Sequence, residues 1–173
     1  MTARKERILK SSLELFTENG FHGTSTYGIS QHAEVSEGLI FRHFRNKEGL
    51  GKAMVEYANE QLSMLYEPIL REVDAVIVVR KSLEFPFNLP QALLPYLKLR
   101  TKLEWELNLE NTDHFAPLRN ALINAFTTLG YYQPVQEARV VEMLIEGTLA
   151  EVLKDKLADA DVLLAYFKTK YAL

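Results

Sequence analysis

Gly38, Leu39 and Arg42 are the residues of this chain whose types and spacing are hardest to explain by packing alone. They fall in a short segment, 37–44, that reads as a helix with Ile40 and Phe44 turned inward. At 100° per residue, Gly38, Leu39 and Arg42 then point most nearly outward. A glycine there lets another surface approach the backbone closely. An outward leucine suits a thymine methyl, and an arginine reaches guanine or phosphate. The plainer alternative for Leu39 is one exposed apolar residue among many. Lys47 is out of place in another way. It follows an Asn46 cap in the first turn of a helix, where the macrodipole disfavours a cation. A nucleic-acid phosphate at that terminus reverses the penalty, whereas a solvated lysine offset by Glu48 needs no partner at all.

Other chemistries have less to stand on. The 173 residues include no cysteine, which excludes a disulfide framework, zinc ribbons and thiol catalysis. His22, His32, His43 and His114 lack metal-ligand spacing, and the Glu110/His114 pair reads as a solvated helix face. There is no glycine-rich phosphate loop and no nucleophile elbow. No enzyme activity, cofactor or metal is expected.

Helices must position these residues, because helical periodicity dominates and period-2 alternation is nearly absent. The first helix runs from Thr2 to about Asn19 on a stripe of Ile8, Leu9, Ser12, Leu13 and Phe16, with Thr2 as cap and Gly20 as a left-handed stop. Two short helices follow at 26–33 and 37–44, capped by Ser25 and Ser36. Both are too short to persist unless they pack on the first. Their three-residue connection has helix-turn-helix length. A long helix begins at Asn46, with Pro68 either a kink or the start of a successor. Further helices are expected near 71–84, 91–109, 117–129, 135–154 and 159–170, with breaks at 85–90, 111–113, 130–134 and 155–158.

Hydrophobic residues at 47% and charged ones at 25% are ordinary for a soluble globular chain. The longest apolar run is far short of the roughly 18 residues of a spanning helix, so no membrane partner and a cytoplasmic location are expected. A net charge of −3 argues against nucleic acid when averaged over the whole chain. Residues 1–50 nevertheless carry 7 basic and 6 acidic side chains, while residues 51–173 carry 13 and 17. Any binding by the first fifty residues must rest on placement of cations, not on bulk charge.

Residues 8–50 resemble the N-terminal domain of the tetracycline-repressor (TetR) family of transcriptional regulators. The resemblance rests on Leu15-Phe16 through Gly20, Ser25-Thr26, Ile29-Ser30 and Val35-Ser36, then on Gly38 to Phe44 and Lys47 to Leu50. It covers about a quarter of the chain. It implies an all-α fold: a three-helix helix-turn-helix module (1–50) joined by a long helix to a helical ligand-binding and dimerisation domain (51–173). It further implies a homodimer, most simply a repressor released from a palindromic operator in double-stranded DNA by a small-molecule effector. The implied DNA contacts are Ser25, Thr26, Tyr27, Ser36, Glu37, Gly38, Leu39, Phe41, Arg42, His43 and Lys47.

Three residues depart from the family pattern. Glu34 stands where glycine is common, which costs on the order of 1 kcal/mol if the position is left-handed. Phe41 stands where tyrosine is usual and lacks a phosphate-contacting phenol. Glu37 opens the recognition helix, either accepting from cytosine N4 or serving as an ordinary first-turn acid. These departures keep a rival reading alive, a helical small-molecule carrier or partner-binding module without operator binding.

In the C-terminal region, Phe85, Phe87, Tyr96, Trp105, Phe115 and Phe126 are the candidate pocket aromatics, with Glu104 and His114 as polar handles. Aromatics at helical spacing are more often core than pocket. The apolar arc of the helix near 135–154 is too wide for one core face. Val141, Leu144, Ile145, Leu149 and Val152, with Leu163, Tyr166 and Phe167 beyond, are the candidate dimer interface, set against a buried pair within one monomer.

Overall fold

The computed structural model describes residues 2–109 and 113–172. Glu110 of the Glu110/His114 pair, and Asn111-Thr112 of the expected break, lie outside the described residues. Among the described residues the chain forms nine α-helices and two short 3-10 turns, with no strand.

Helix α1 spans Ala3–Gly23, its start capped by Thr2, whose hydroxyl accepts from the Lys5 amide. Gly20 does take the positive φ that only glycine adopts freely, at φ 75° and ψ 164°. The chain then makes one more turn through Phe21 to Gly23, so the expected stop at Gly20 is a kink. Helix α2 (Thr26–His32) is capped by Ser25, whose Oγ accepts from the Gly28 amide at 3.0 Å. Helix α3 spans Glu37–Phe44, and here the expected cap is absent: Ser36 makes no side-chain cap bond. Helix α4 spans Lys47–Leu70, with Asn46 Oδ1 accepting from the Gly49 amide at 2.7 Å and Pro68 inside its last turn. Pro68 has no N–H for the carbonyl four residues earlier, and α4 ends two residues after it.

Asp74 caps α5 (Ala75–Glu84) by accepting from Val76 and Ile77. The proline-rich stretch beyond forms 3-10 turns at Phe85–Asn88 and Gln91–Leu93. Helices α6 (Leu94–Glu106), α7 (Ala116–Thr128), α8 (Pro134–Leu153) and α9 (Ala160–Lys170) complete the chain. No helix among the described residues is long and apolar enough to cross a membrane.

Packing sorts these elements into two compact units. The first holds the residues up to Glu60 together with α6, and the second holds Gln61–Gln91 with everything described from Asp113 onward. Helix α4 contributes to both. The core of the first unit joins Ile8, Leu9, Phe16 and Phe21 of α1 to Ile29, Ile40, Phe44, Leu50 and Met54. Leu99 and Leu103 of α6 complete it, so the helix-turn-helix does not bury its apolar faces alone.

In the second unit Phe126 is fully buried, with Tyr131 and Tyr171 against it at ring separations of 4.8 and 5.8 Å. Burial pushes the Tyr171 phenol up to about 12. Four of the candidate interface residues belong to this interior. Val141, Ile145, Leu149 and Phe167 are buried within the chain, which removes them from any surface. Leu144, Val152 and Leu163 are half-buried, and Tyr166 is exposed. The apolar arc of α8 runs on past its buried side, and the residues exposed along it are Val140, Met143 and Gly147, with Val162 on α9.

Glu142 is the one carboxylate buried in this interior among the described residues, at 2% exposure. Two arginines hold it: Arg119 reaches both of its oxygens, one at 2.6 Å, and Arg139 adds a bond at 2.8 Å. Arg119 also grips Asp113 through both terminal nitrogens. The Arg119 hydrogen bonds hold the Glu142 carboxyl below its ordinary 4.5, and this outweighs the opposing effect of burial. Because the folded state depresses this value, the pair stabilises fully above the unfolded value and loses its effect as pH falls through the folded one. Glu142→Gln is expected to cost about 2 kcal/mol at neutral pH, since it removes the buried charge shared by Arg119 and Arg139 and leaves Arg119 its pairing with Asp113. Melting temperatures followed from pH 7 downward should fall steeply for the wild type below about 4.5 and more gently for the variant.

Candidate nucleic-acid interface

The recognition segment is held by its buried side. Ile40 is inaccessible and Phe44 is 5% exposed, and both are locked against α1 and α2 residues. On the other side of α3, Gly38, Phe41, Arg42 and His43 are exposed. A Cβ added at Gly38 would meet nothing within 4 Å, so no packing within this chain requires glycine there. Leu39 does not point outward as the 100° rule suggested. It is half-buried and packs on the core of the first unit, because Ile40, Phe44 and Leu39 together form a wider apolar arc than two residues define.

Of the α2 positions, Ser25 and Tyr27 are exposed, Tyr27 at 62%. Its phenol is available on the neighbouring helix where Phe41 carries none. Ser25 is committed to its cap, whereas Ser36 is exposed and has no cap role. The Glu34 position is left-handed, at φ 52°, and its carboxylate is largely exposed, 3.8 Å from Arg7.

Two contacts were not foreseen from sequence. Thr26 Oγ1 donates to Glu37 Oε1 at 2.6 Å, tying the start of α2 to the start of the recognition helix. Neither residue is simply a phosphate donor or a free first-turn acid. The second contact concerns Lys47. Its ammonium donates to the carbonyls of Phe21 and Thr24, each at 3.0 Å, and sits 4.6 Å from the Phe21 ring centroid. The kink at Gly20 leaves carbonyls at the end of α1 without helical partners, and buried carbonyls need donors. Lys47 serves two of them, and the Thr24 hydroxyl serves Gly20 and Leu15 at 2.8 and 3.1 Å. The cation at the start of α4 therefore has partners inside the chain, a reason that does not require an external anion.

The candidate effector residues separate between the two units. Tyr96, Glu104 and Trp105 belong to the first, where Tyr96 packs on Tyr57 and burial raises its phenol above the ordinary value. Glu104 is bound to Arg100 at 3.0 Å. Trp105 is 88% exposed rather than lining an interior, because Leu99 and Leu103 set the buried side of α6 and Trp105 lies 200° round from Leu103. In the second unit, Phe85 and Phe115 flank Tyr66, whose hydroxyl donates to the His114 carbonyl at 2.6 Å. Phe87 meets Phe167, and Phe126 is core. Among the described residues no group of three or more His, Asp or Glu side chains is placed to hold a metal ion.

The Lys47 clamp is separable from any contact with nucleic acid. Lys47→Met keeps the aliphatic stem on Phe21 and removes the ammonium. Chemical denaturation should show a loss of about 1–2 kcal/mol, the worth of charged hydrogen bonds from a half-buried ammonium to the carbonyls of two buried residues. A residue whose only partner was an external phosphate would leave the free protein unchanged.

Residues 8–54 match the family described as bacterial regulatory proteins, tetR family. The HTH-type transcriptional regulator UidR of Escherichia coli (strain K12) is 38% identical over 66 residues, which cover 38% of this chain and 34% of UidR. The HTH-type transcriptional regulator QacR of Staphylococcus aureus (strain Mu50 / ATCC 700699) is 30% identical over 129 residues, 75% of this chain and 56% of QacR. The chain thus spans between a third and just over half of the length of these relatives. The fold is similar to that of the transcriptional regulator FadR from Bacillus subtilis, solved in complex with stearoyl-CoA. That likeness has a TM-score of 0.62 at 19% identity, over 97% of this chain and 96% of the other. The typed positions from Leu15 to Leu50, the helix-turn-helix they build and the all-helical fold around it agree with the match of residues 8–54 to the tetR family of bacterial regulatory proteins.

Proposed function

We propose that this protein is a homodimeric, ligand-responsive DNA-binding regulator, a repressor released from a palindromic operator by a small molecule. The observation that carries the reading is the two-sidedness of α3. Its inner side is immobilised by Ile40 and Phe44, and its outer side presents Gly38, Phe41, Arg42 and His43 to solvent. A helix built only for solubility has no need of a bare glycine beside an arginine and an exposed phenylalanine. A major groove admits such a helix, with Arg42 reaching guanine or phosphate and His43, Ser36 and the Tyr27 phenol available to the backbone. The near-neutral charge of residues 1–50 makes such binding depend on a few placed cations and therefore on salt.

A gel-shift titration on the gene's own upstream region tests this. The full chain should give a salt-sensitive shift that Arg42→Ala weakens about tenfold or more. Absence of any shift at low salt overturns the reading. If a small molecule still raised the melting temperature, the carrier alternative would stand instead, which the missing phenol at Phe41 and the exposed acid at Glu34 favour.

Two recognition helices require a dimer. Val140, Met143 and Gly147 lie at helical spacing on the outer side of α8, and Val162 and Tyr166 do so on α9. Gly147, with open space where a Cβ would stand, lets a second backbone come close. Met143 is 57% exposed, so Met143→Glu leaves the fold of one chain intact while placing a charge in this face. Sedimentation should report a monomer for the variant and a dimer for the wild type, with operator binding lost in step.

The effector reading rests on the aromatic group Tyr66, Phe85 and Phe115 in the second unit. FadR of Bacillus subtilis, similar in fold, was solved with stearoyl-CoA. Helix α4, which begins beside the recognition helix and runs on to Leu70, is the element through which an effector acts. Any effector must bind the two operator-affinity states unequally to shift them.

A further inference from the structure

We propose that Thr26 is a positioning residue for sequence readout: its hydroxyl aims the Glu37 carboxylate at a cytosine in each half-site, and it is not a phosphate anchor. The inference rests on the DNA-binding reading above and adds a base preference and a division of labour to it.

A threonine hydroxyl has one proton. Here that proton is committed to Glu37 Oε1 at 2.6 Å, a short, charge-assisted bond. What Thr26 presents elsewhere is lone pairs, and a phosphate oxygen is itself only an acceptor. So long as the bond to Glu37 persists, the Thr26 hydroxyl has no proton to offer the backbone of a duplex. Donors for the backbone must come from other residues, and Ser36, Tyr27, Arg42 and His43 are exposed with no such commitment among the described residues.

Glu37 gains what Thr26 gives up. A glutamate at the start of an exposed helix is ordinarily a three-torsion side chain free to sweep past several base pairs. The bond from Thr26 fixes Oε1, and among the described residues Glu37 makes no other side-chain hydrogen bond or ion pair. Oε2 is left as an acceptor in a defined place. Gly38 beside it has no side chain, and a Cβ built there would meet nothing within 4 Å, so the next residue of α3 places no side chain beside the half-buried Glu37. Ser36 on the other side does not fold back as a cap.

The chemistry of the major groove then narrows the target. A carboxylate can only accept. Guanine and thymine present acceptors there and repel it, and adenine sets its N6 amino group beside the N7 acceptor, whereas cytosine presents the N4 amino group with no acceptor of its own beside it, the edge that glutamate reads. A carboxylate close to phosphates is costly unless it finds such a donor. Discrimination at this one position is therefore strong.

The test uses the full chain with a randomised half-site library, followed by anisotropy titrations on the selected site and its single-base variants over a range of salt. The wild type should select cytosine at one position per half-site. Thr26→Val, which keeps the shape and removes the proton, should lower that discrimination by about tenfold and leave the slope of log affinity against log salt unchanged. Thr26→Ser should restore it, and Glu37→Gln should move the preference to adenine, which an amide reads through N6 and N7. If Thr26→Val weakens all sequences equally and reduces the salt slope by about one phosphate, Thr26 is a phosphate anchor and the proposal is wrong. Wild-type binding with no cytosine preference also overturns it. Should the valine variant fail to fold, Glu37→Gln and Thr26→Ser decide the matter. A wild type that binds no member of the library overturns the DNA-binding reading itself.

Discussion

The break in α1 at Gly20 is the constraint from which the N-terminal module follows. Had the helix continued, its carbonyls would have been served within it, and Phe21 would have pointed elsewhere. The positive φ at Gly20 turns the chain and leaves carbonyls of residues 20, 21 and 24 to be satisfied from outside the helix. Thr24 and Lys47 satisfy them, and in doing so they fasten the start of α4 to the end of α1. The Phe21 ring, brought against Phe16 by the same turn, then becomes part of the core that receives Leu50 and Met54. With both ends of the module fixed in this way, α2 and α3 have a preformed surface on which to pack. Neither has the length to be stable without one.

That arrangement also explains why the outer side of α3 is free to carry unusual residues. Stability is supplied by Ile29, Ile40, Phe44 and the Lys47 clamp, so Gly38, Phe41 and Arg42 contribute little to it. Even Glu34, held left-handed at a cost on the order of 1 kcal/mol, is tolerated on such a frame. The second unit makes the same separation differently. Its interior holds aromatic residues and a buried Glu142 between two arginines, while Val140, Met143, Val162 and Tyr166 of α8 and α9 are exposed.

What the sequence made legible was local, and so was what it hid. Caps at Thr2, Ser25 and Asn46, the positive φ at Gly20 and the order of helices all depend on neighbours within a few residues, and they can be read from residue type. Lys47 could be read as misplaced, because helix polarity is local too. Its partners lie 23 and 26 residues earlier, and no periodicity announces them. The same holds for Thr26 and Glu37, which are 11 residues apart on separate helices. The sides of α8 were ambiguous for another reason. When apolar residues occupy most of a helix circumference, pattern alone cannot say which part faces its own core. Only the neighbours α5 and α7 assign Val141 and Ile145 inward and Val140 and Met143 outward.

Net charge was the weakest of the sequence signals, and the structure gives the physical reason. Counting ions treats each as available to a partner. Lys47 is spent on carbonyls, Arg119 and Arg139 on Glu142, and Arg100 on Glu104, while Glu37 is held by a neutral hydroxyl. The charges that a duplex would meet are the few left over, notably Arg42, which is exposed on α3. Under the proposed function, affinity for nucleic acid would follow from that remainder and from the direction in which the frame points it. A chain with a formal charge of −3 can therefore present a binding helix, and a more basic chain with its cations committed internally could not.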